Sequence, residues 1–309
     1  MQCMDLKTGQ NLPHGAGVPC VAALGNFDGV HLGHRAILHA TTTLAKQHGL
    51  VPAVFTFATH PKQAPLLCTN EERLEHMRAC GIRFVYLYDF PSLQHNSPQT
   101  FVRDILIKEM QTQIAVSGEN FHFGENGDGT TETLQQAMQT AGKETYVVPM
   151  VYAYGDTVSS TRIRALLARG EIQTANHLLG YPYTLSGNII HGLRNGHKMQ
   201  IPTINFQSPN KLLPARGVYV SNVYIEQHVT RGVTNVGIRP TIRGGQEKPN
   251  VETHLLDIPP QTDLYGKKAD VVLLQYLRPE QTFDNLELLK QQINRDICAA
   301  REYREETER

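Results

Sequence analysis

Short apolar runs alternate with helical patterns through the first 180 residues of this chain, and this alternation limits the folds open to it. The runs are rich in Val, Ile, Phe and Tyr and are mostly apolar throughout, as is typical of strands buried on both faces of a sheet. They lie at 19–24, 51–57, 82–88, 113–118 and 144–152. The alternation predicts an α/β fold with a parallel sheet and right-handed crossovers, whose ligands bind beyond the carboxyl ends of the strands.

The helices between these strands begin at recognisable signals. Ser97 before Pro98 is typical of a cap followed by the first helical position. Thr69 with Glu72 three residues later indicates a capping box, and the helix that follows is expected to end at Gly81. These boundaries support the assignment of this part of the chain to strand and helix in alternation.

From about residue 183 the pattern changes to short strands broken by Gly and Pro. Such strands are predicted at 183–191, 217–225, 228–237, 250–257 and 269–277. Regular short strands without helices between them predict a small antiparallel barrel or sandwich. The chain then ends in an amphipathic helix predicted from apolar residues at helical spacing: Phe283, Leu286, Leu289, Ile293 and Ile297.

We expect two domains, at 15–180 and 183–309. A chain of 309 residues is long enough for about two cores. The boundary is placed where Gly180 can close a helix and Pro182 prevents its continuation.

Acidic and basic side chains balance at 29 each, so the chain has no overall positive field that would favour nucleic acid or an anionic membrane. Any anionic ligand is therefore expected to be bound by local groups. The first residues lack the pattern of a secretory signal, and no apolar run approaches the roughly 18 residues that span a bilayer. Five cysteines without CxxC spacing argue against a disulfide framework and favour a reducing cytoplasm. The sequence does not predict the oligomeric state.

The stretch GNFDGVHLGH at 25–34 gathers glycines and histidines where the first strand gives way to a helix. Its glycines allow close approach of the backbone to a ligand, and a helix that begins near Gly33 presents free N–H groups to an anion. His31 and His34 can donate hydrogen bonds to a phosphate, and they carry charge if their surroundings raise the pKa. The alternatives are a pair of zinc ligands, for which no clustered cysteine supplies a partner, or ordinary loop histidines.

Two further segments fit a phosphate site. The stretch SSTRIR at 159–164 places hydroxyl groups at a helix start, with Arg162 and Arg164 in its first turn. Basic side chains there oppose the helix dipole at a cost of roughly a few tenths of a kcal/mol, which a bound polyphosphate would explain. The Gly-rich segment 117–130 follows a strand and could fold over a nucleotide. Taken singly, each segment could also be a set of solvated helix charges or a plain loop.

In the second domain, Thr203 and Asn205 occupy alternate positions of an extended segment and so point the same way. Their hydroxyl and amide oxygens could hold hydrated Mg²⁺ with the phosphates of a nucleotide. Glu252 could act as a general base toward a hydroxyl substrate. The alternatives are a simple Pro-Thr turn and a glutamate on the wet face of a strand.

Eight segments occur in one order along the chain: GNFDGVHLGH, TFATHP, SGENFHFG, SSTRIR, IPTIN, GVY, NVGIRPT and VETHLLD. In this series the chain resembles the bacterial bifunctional riboflavin kinase/FAD synthetase family over essentially its whole length. The resemblance implies an amino-terminal nucleotidyltransferase domain of Rossmann-like fold, in which the phosphate of FMN attacks the α-phosphate of ATP to give FAD and pyrophosphate. It also implies a carboxy-terminal riboflavin kinase barrel that phosphorylates riboflavin to FMN.

The resemblance further implies the roles of individual residues. The catalytic residues would be His31, His34, Arg162 and Glu252. The nucleotide-binding residues would be Gly25, Asn26, Phe27, Gly33, Asn120, Ser160, Thr161 and Lys198. The flavin-binding residues would be His60, Pro61 and Asn235, and the Mg²⁺ ligands would be Thr203 and Asn205. The implied partners are the small molecules riboflavin, FMN and ATP.

The chain departs from the family pattern most in the phosphate loop of the second domain, at 192–205. His197 stands where the family typically has arginine, and Gln200 stands where it has glycine. Smaller departures are Met199, Ile201, Ala58, Thr59 and Glu125, the last where a basic residue is common. We therefore predict weak riboflavin kinase activity beside FAD synthesis. The alternatives are a synthetase whose second domain only binds flavin, and a non-catalytic flavin or nucleotide sensor.

Overall fold

The structure, a computed structural model, describes residues 2–6, 10–12, 18–59, 65–190, 203–208, 211–239, 248–259 and 262–304. The chain divides into two compact units, Met1–Ser160 and Thr161–Arg309. This division assigns most of the two helices before Gly180 to the second unit, and the domain boundary expected near residue 180 stays a prediction. No helix in the described ranges is both long and apolar enough to span a bilayer.

The first unit is built on a sheet whose central strands are parallel. Its strands are β1 (Gln2–Asp5), β2 (Gln10–Leu12), β3 (Cys20–Leu24), β4 (Val51–Phe57), β5 (Phe84–Tyr88), β6 (Thr112–Gly118) and β7 (Glu144–Val148). They lie in the order β2-β1-β5-β4-β3-β6-β7, with β1 and β2 antiparallel at one edge. The parallel core confirms the predicted α/β fold, whereas β1 and β2 are strands that the sequence analysis did not predict.

Helices pack on both faces of this sheet. They are α1 (Leu32–His48), α2 (Asn70–Ala79), α3 (Phe90–Leu93), α4 (Pro98–Thr100), a π-helix (Phe101–Glu109), a 3₁₀ turn (Glu125–Gly127) and α5 (Thr131–Thr140). All five residues of β3 are buried. Leu24 packs on one face with Phe101, while Ala23 packs on the other with Leu38 of α1. Burial on both faces explains why these strands are apolar throughout.

The predicted helix signals are present. The Thr69 Oγ1 accepts a hydrogen bond from the Glu72 N–H at 3.2 Å, and Glu72 accepts one from the Thr69 N–H at 2.8 Å, which completes the capping box. Ser97 caps α4, but after Thr100 that helix continues as the π-helix, which no sequence signal predicted.

The strand predicted at 144–152 ends at Val148. Pro149 follows, and its ring nitrogen cannot donate to a strand ladder. The chain then forms a short hairpin, β8 (Tyr152–Ala153) and β9 (Asp156–Thr157).

The helices α6 (Ser160–Ala168) and α7 (Ile172–Leu179) lead into the antiparallel sheet of the second unit. Its strands are β10 (Thr184–Asn188), β11 (Thr203–Phe206), β12 (Gly217–Ile225), β13 (His228–Arg239), β14 (Lys248–Leu255) and β15 (Lys268–Arg278), and α8 (Leu286–Glu302) follows. The order is β10-β15-β12-β13-β14-β11. The Ile190 N–H donates to the Asn205 carbonyl at 2.8 Å, so the two ends of this order meet and the sheet curls toward a barrel, as predicted.

A buried ion pair holds α8 on this sheet. Arg278, at the end of β15, donates from Nη2 to Asp296 Oδ2 at 2.8 Å and from Nε to both carboxylate oxygens at 3.1 Å. The two side chains are 15% and 5% exposed. Arg301 of the same helix also pairs with an aspartate, Asp257, at 3.4 Å, but those side chains are 59% and 64% exposed.

Asp296→Asn is expected to lower the free energy of unfolding by about 3 kcal/mol, because it leaves the Arg278 guanidinium buried without its counter-charge. Arg301→Met removes the exposed pair of the same helix, and we expect a loss below about 1 kcal/mol. Urea unfolding of the full chain, followed by circular dichroism, measures both. Equal losses in the two variants would contradict the anchoring role of the buried pair.

Candidate functional site

A cleft of about 590 Å³ lies in the first unit at the carboxyl ends of the parallel strands. The connection from β3 leads to β4 on one side, and the connection from β6 leads to β7 on the other, so the strand order reverses between β3 and β6. Loops that leave two such strands diverge and open a space between them. Gly25 and Asn26 after β3, and Gly118 and Asn120 at the end of β6, line this space. The cleft therefore lies where the sequence predicts a ligand.

The loop after β3 has a strained backbone. Phe27, Gly29 and Val30 have φ values of 50°, 83° and 33°. Glycine adopts such values freely, but an aromatic and a β-branched residue do so at a cost on the order of 1–3 kcal/mol each. Strain of this size persists only where surrounding contacts fix the conformation.

Contacts from two other segments fix this loop. The Leu67 N–H donates to Asp28 Oδ1 at 2.8 Å, and the Gly29 N–H donates to the Cys68 sulfur at 3.2 Å. The Ser160 hydroxyl, at the start of α6, donates to the Asp28 carbonyl at 2.9 Å. The first residue of the SSTRIR helix is thus joined to the GNFDGVHLGH loop.

His31 caps the amino terminus of α1. Its Nδ1 accepts a hydrogen bond from the His34 N–H at 3.3 Å, which leaves the ring proton on Nε2. The two imidazole rings stack, with centroids 3.6 Å apart and planes inclined by 15°. A Cβ at Gly33 would come within 3.2 Å of the His31 ring, so the close approach of the capping ring explains this glycine.

Burial lowers the pKa of both imidazoles. The side chain of His31 is 5% exposed, and burial lowers its pKa to about 4. For His34, burial acts together with positive charge on His31 and Arg73 to hold the pKa well below its ordinary value. The sequence analysis allowed these histidines to carry charge if their surroundings raised the pKa. In the structure, their surroundings lower the pKa instead. At neutral pH both imidazoles of this structure are therefore neutral hydrogen-bonding groups.

Part of the cleft lining is aromatic, which the sequence analysis missed. Besides Phe27, six phenylalanines contribute: Phe55, Phe57, Phe90, Phe101, Phe121 and Phe123. The rings touch one another, with centroids 5.0 Å apart for Phe55 and Phe101 and 5.5 Å apart for the stacked pair Phe121 and Phe123. We call these six residues the aromatic wall. The one sequence signal for it is the pair of phenylalanines in NFHF, on a Gly-rich loop rather than in a core strand.

The Gly-rich segment contributes Asn120 and Asn126 to the same lining. Glu125, which stands where the family commonly has a basic residue, contacts His95 at 3.4 Å. Its N–H donates to the Asn96 carbonyl at 2.8 Å. The acidic residue therefore joins this loop to the segment that follows α3.

Most of the predicted nucleotide-binding residues of the first unit meet at this cleft. The lining includes Gly25, Asn26, Phe27, His31, Gly33, His34, Asn120 and Ser160. Thr161 and Arg162 follow Ser160 in the first turn of α6 and are assigned to the second unit. His60 and Pro61 lie outside the described residues. The roles of all these residues stay predictions.

In the second unit, three predicted residues form one row across neighbouring strands. Asn205 of β11 pairs with Glu252 of β14, and Glu252 pairs with Asn235 of β13. Residues directly opposite in antiparallel strands share a face of the sheet. A carboxylate therefore lies between two carboxamides. The Asn235 amide also donates to Glu280 Oε1 at 3.2 Å.

The two predicted Mg²⁺ ligands have polar neighbours. Thr203 Oγ1 lies 3.2 Å from Nδ1 of His254, whose pKa is lowered by burial. Asn205 is 4% exposed, and its Oδ1 accepts a hydrogen bond from the Asn250 amide at 3.4 Å. Lys198 and the phosphate loop through residue 202 lie outside the described residues.

Comparison with known proteins assigns a family to each half of the chain. A family model described as FAD synthetase matches residues 16–162, and one described as riboflavin kinase matches residues 179–304. The bifunctional riboflavin kinase/FMN adenylyltransferase of Escherichia coli K12 is 34% identical, over 92% of this chain and 92% of its own length. That of Pseudomonas fluorescens is 37% identical, over 91% of this chain and 92% of its own length.

A crystal structure described as a macrolide-efflux protein from Streptococcus pneumoniae has the same fold. It superposes with a TM-score of 0.86 at 29% identity and covers 97% of this chain and 98% of its own. The fold and these relatives define the class of protein: a transferase with an α/β unit and a second, antiparallel unit. The chain belongs to the bifunctional riboflavin kinase/FMN adenylyltransferase family.

The low pKa of His31 predicts that acid destabilises the first unit. The pKa is about 4 in the folded chain and about 6.5 when unfolded, so the unfolded chain binds more protons between these values. Stability is therefore complete above about pH 6.5 and is lost as the pH falls toward 4, by up to about 3 kcal/mol. Urea unfolding at pH 7 and pH 4.5 measures the loss.

His31→Gln, which cannot titrate, is expected to reduce this pH dependence. His39→Gln, on the exposed side of the same helix, is the control. A pH dependence that is the same in wild type and His31→Gln would contradict the assignment.

Proposed function

We propose that this chain makes FAD in two reactions. The second unit transfers a phosphoryl group from ATP to riboflavin, which gives FMN. The first unit transfers AMP from ATP to FMN, which gives FAD. The transfer of AMP to FMN is supported by the cleft of the first unit, where a helix amino terminus with two imidazoles adjoins the aromatic wall. One region suits phosphates and the other suits a planar aromatic ring. A flavin nucleotide and ATP together need both.

The phosphate region supplies neutral donors. The first turn of α1 presents unpaired backbone N–H groups and the positive end of the helix dipole. Two polar atoms beside it, Asn26 Oδ1 and His34 Nδ1, are buried without a hydrogen-bond partner among the described residues. Buried polar atoms without partners cost free energy. Asn26 Oδ1 only accepts hydrogen bonds, so its partner would be a hydroxyl or amino group of a nucleotide and not a phosphate oxygen. These features support a bound nucleotide.

The aromatic wall supports flavin binding at the same cleft. Phenylalanine rings stack on planar aromatic ligands and exclude water from them. We propose that the isoalloxazine ring of FMN lies against these rings, which leaves its phosphate free to reach the helix terminus. His60 and Pro61, carried over from the family pattern, remain proposed flavin contacts.

In the proposed adenylyl transfer, a phosphate oxygen of FMN attacks the α-phosphorus of ATP. The bond from that phosphorus to the oxygen bridging to the β-phosphate breaks, and the products are FAD and pyrophosphate. We expect the His31 and His34 rings to donate to phosphate oxygens as charge develops on them. Ser160, Thr161 and Arg162 are the proposed contributors from the start of α6.

In the proposed kinase reaction, Glu252 takes the proton of a ribityl hydroxyl as that oxygen attacks the γ-phosphorus of ATP, and the products are FMN and ADP. Thr203 and Asn205 would hold Mg²⁺, since hydroxyl and carboxamide oxygens are hard ligands and both lie on the face that carries Glu252. Mg²⁺ held by these residues would neutralise charge on the phosphates. Asn235 is the proposed flavin contact, and Lys198 the proposed phosphate contact.

Incubation with Mg-ATP and either riboflavin or FMN, followed by chromatography, tests the proposal. We expect FMN to give FAD, and riboflavin to give FMN roughly tenfold more slowly, because a permanent cation is absent at position 197. His197→Arg combined with Gln200→Gly should raise the kinase rate and leave adenylyl transfer unchanged. Equal rates in the wild type would contradict the weak-kinase prediction. Binding of both substrates without any product would favour a sensor.

Paired variants assign the two sites. The double variant His31→Ala, His34→Ala is expected to lower kcat/KM for adenylyl transfer by about 10²-fold or more, because two donors to the phosphates are lost. Riboflavin phosphorylation should be unchanged in that protein. Glu252→Gln should have the opposite effect, so each variant is the control for the other. Unchanged FMN adenylylation in the histidine variant would refute the role of those histidines.

A further inference from the structure

Arg73 of α2 is a buried cation close to the cleft. It is 1% exposed, and no fully buried side chain in the described ranges is larger. Its Nη1 donates to the Asn26 carbonyl at 3.2 Å, and its Nη2 donates to the Phe57 carbonyl at 2.7 Å and to Asn70 Oδ1 at 2.8 Å. Its Nε is buried without an acceptor among the described residues. Incomplete pairing of a buried guanidinium argues against stability as its only role.

The two carbonyls that Arg73 binds lie at the cleft. Asn26 follows β3 and Phe57 ends β4, the parallel neighbour of β3, and both residues line the cleft. Asn26 directly precedes the residues with positive φ. The planar guanidinium fork therefore holds the exits of two neighbouring strands in one fixed relation.

The same segment holds the strained loop at two more points. The Leu67 N–H binds the Asp28 carboxylate, and the Cys68 sulfur accepts from the Gly29 N–H. We call Leu67, Cys68 and Arg73 the brace. Its contacts fall on Asn26, Asp28 and Gly29, within the loop that leads to the α1 amino terminus.

The brace also brings a charge that the cleft lining lacks. None of the residues that line the cleft, within the described ranges, is a lysine or an arginine. Arg73 lies behind Asn26, and its charge helps to lower the pKa of His34, so its field reaches the phosphate region. Burial lowers the pKa of Arg73, and Cys68 and Asp28 partly offset this because both favour the charged guanidinium.

We infer that Arg73 is a positioning residue for adenylyl transfer: it fixes the strained loop at 25–30 in the form that receives the nucleotide phosphates and places a permanent positive charge behind that loop. The inference rests on the proposed function of the cleft. The inference gives Arg73 of α2 a role in nucleotide binding although the Arg73 guanidinium is buried and does not contact the nucleotide.

Three variants of the full chain test this role. Arg73→Met removes the charge and the fork, and Arg73→Lys keeps the charge but not the fork. Arg78→Met is the matched control, because Arg78 lies in the same helix and also donates to a backbone carbonyl, that of Leu6 at 2.8 Å. The measurements are the Kd of Mg-ATP by titration calorimetry, kcat and KM for FMN adenylylation, the thermal midpoint, and riboflavin phosphorylation by the same preparation.

We expect Arg73→Met to weaken Mg-ATP binding about tenfold and to lower kcat/KM for adenylylation about 10²-fold. Arg73→Lys should bind Mg-ATP within about threefold of wild type but keep a low kcat, since the loop is no longer fixed. Arg78→Met should keep wild-type Kd and kcat. The rate of riboflavin phosphorylation should stay within about twofold of wild type in all three variants. This rate therefore measures how much of each preparation is active.

Wild-type Kd and kcat in Arg73→Met would overturn the inference, as would losses matched by Arg78→Met at the same thermal midpoint. If Arg73→Met does not fold, Cys68→Ala decides, because it removes one brace contact without touching the buried charge. It should raise the Kd of Mg-ATP, and an unchanged Kd would count against the brace. A wild type that makes no FAD from FMN would contradict the proposed function alone, since the Mg-ATP titrations still test Arg73.

Discussion

The reversal of strand order between β3 and β6 is the constraint on which the first unit depends. Two neighbouring parallel strands whose connections leave in opposite directions cannot cover their own carboxyl ends. The amino terminus of α1 therefore faces an open space with N–H groups that no turn of helix satisfies. Seven residues lead directly from β3 to α1, and the positive φ values of Phe27 and Val30 are the consequence of this short turn. The strain and the binding site thus have one origin.

The histidines at this site do not form a cationic pocket, because both imidazoles are neutral at neutral pH. The stacked imidazoles are 3.6 Å apart, so protonation of one opposes protonation of the other, and burial opposes both. Neutral rings can donate to a phosphate at neutral pH without first binding a proton. A permanent positive charge is supplied instead by Arg73, whose guanidinium does not deprotonate in proteins. Because Arg73 is behind the loop, it can act on the ligand without forming an ion pair that product release would have to break.

The fold of the first unit was predictable because strands buried on both faces are apolar throughout, and the capping box at Thr69 is a local signal. The strand β1 was not, because QCMD has no such pattern and its strand conformation depends on pairing with β5 and β2. Arg73 could not be found from sequence either. In the run EER it looks like any solvated helix charge, and its burial depends on carbonyls 16 and 47 residues away.

The site residues show the same division. His31 and His34 lie three residues apart in one motif, so sequence alone brings them together. The row of Asn205, Glu252 and Asn235 comes from three separate strands, and only the strand register aligns it. The aromatic wall combines strand, helix and loop positions, and its strand and helix positions taken singly are typical of core residues.

The two units differ in how their proposed phosphate-binding groups are distributed. In the first, the groups proposed to surround the phosphates come from separate segments: the loop at 25–30, the start of α1, the brace and Ser160. A change in one of these segments leaves the others in place. In the second, the family pattern concentrates phosphate contacts in the loop at 192–205, and the departures at His197 and Gln200 both fall there. The same number of substitutions is therefore expected to weaken riboflavin phosphorylation more than FMN adenylylation. Because each unit has its own groups for its own reaction, that loss need not reach the first unit, which can still adenylylate FMN from any source.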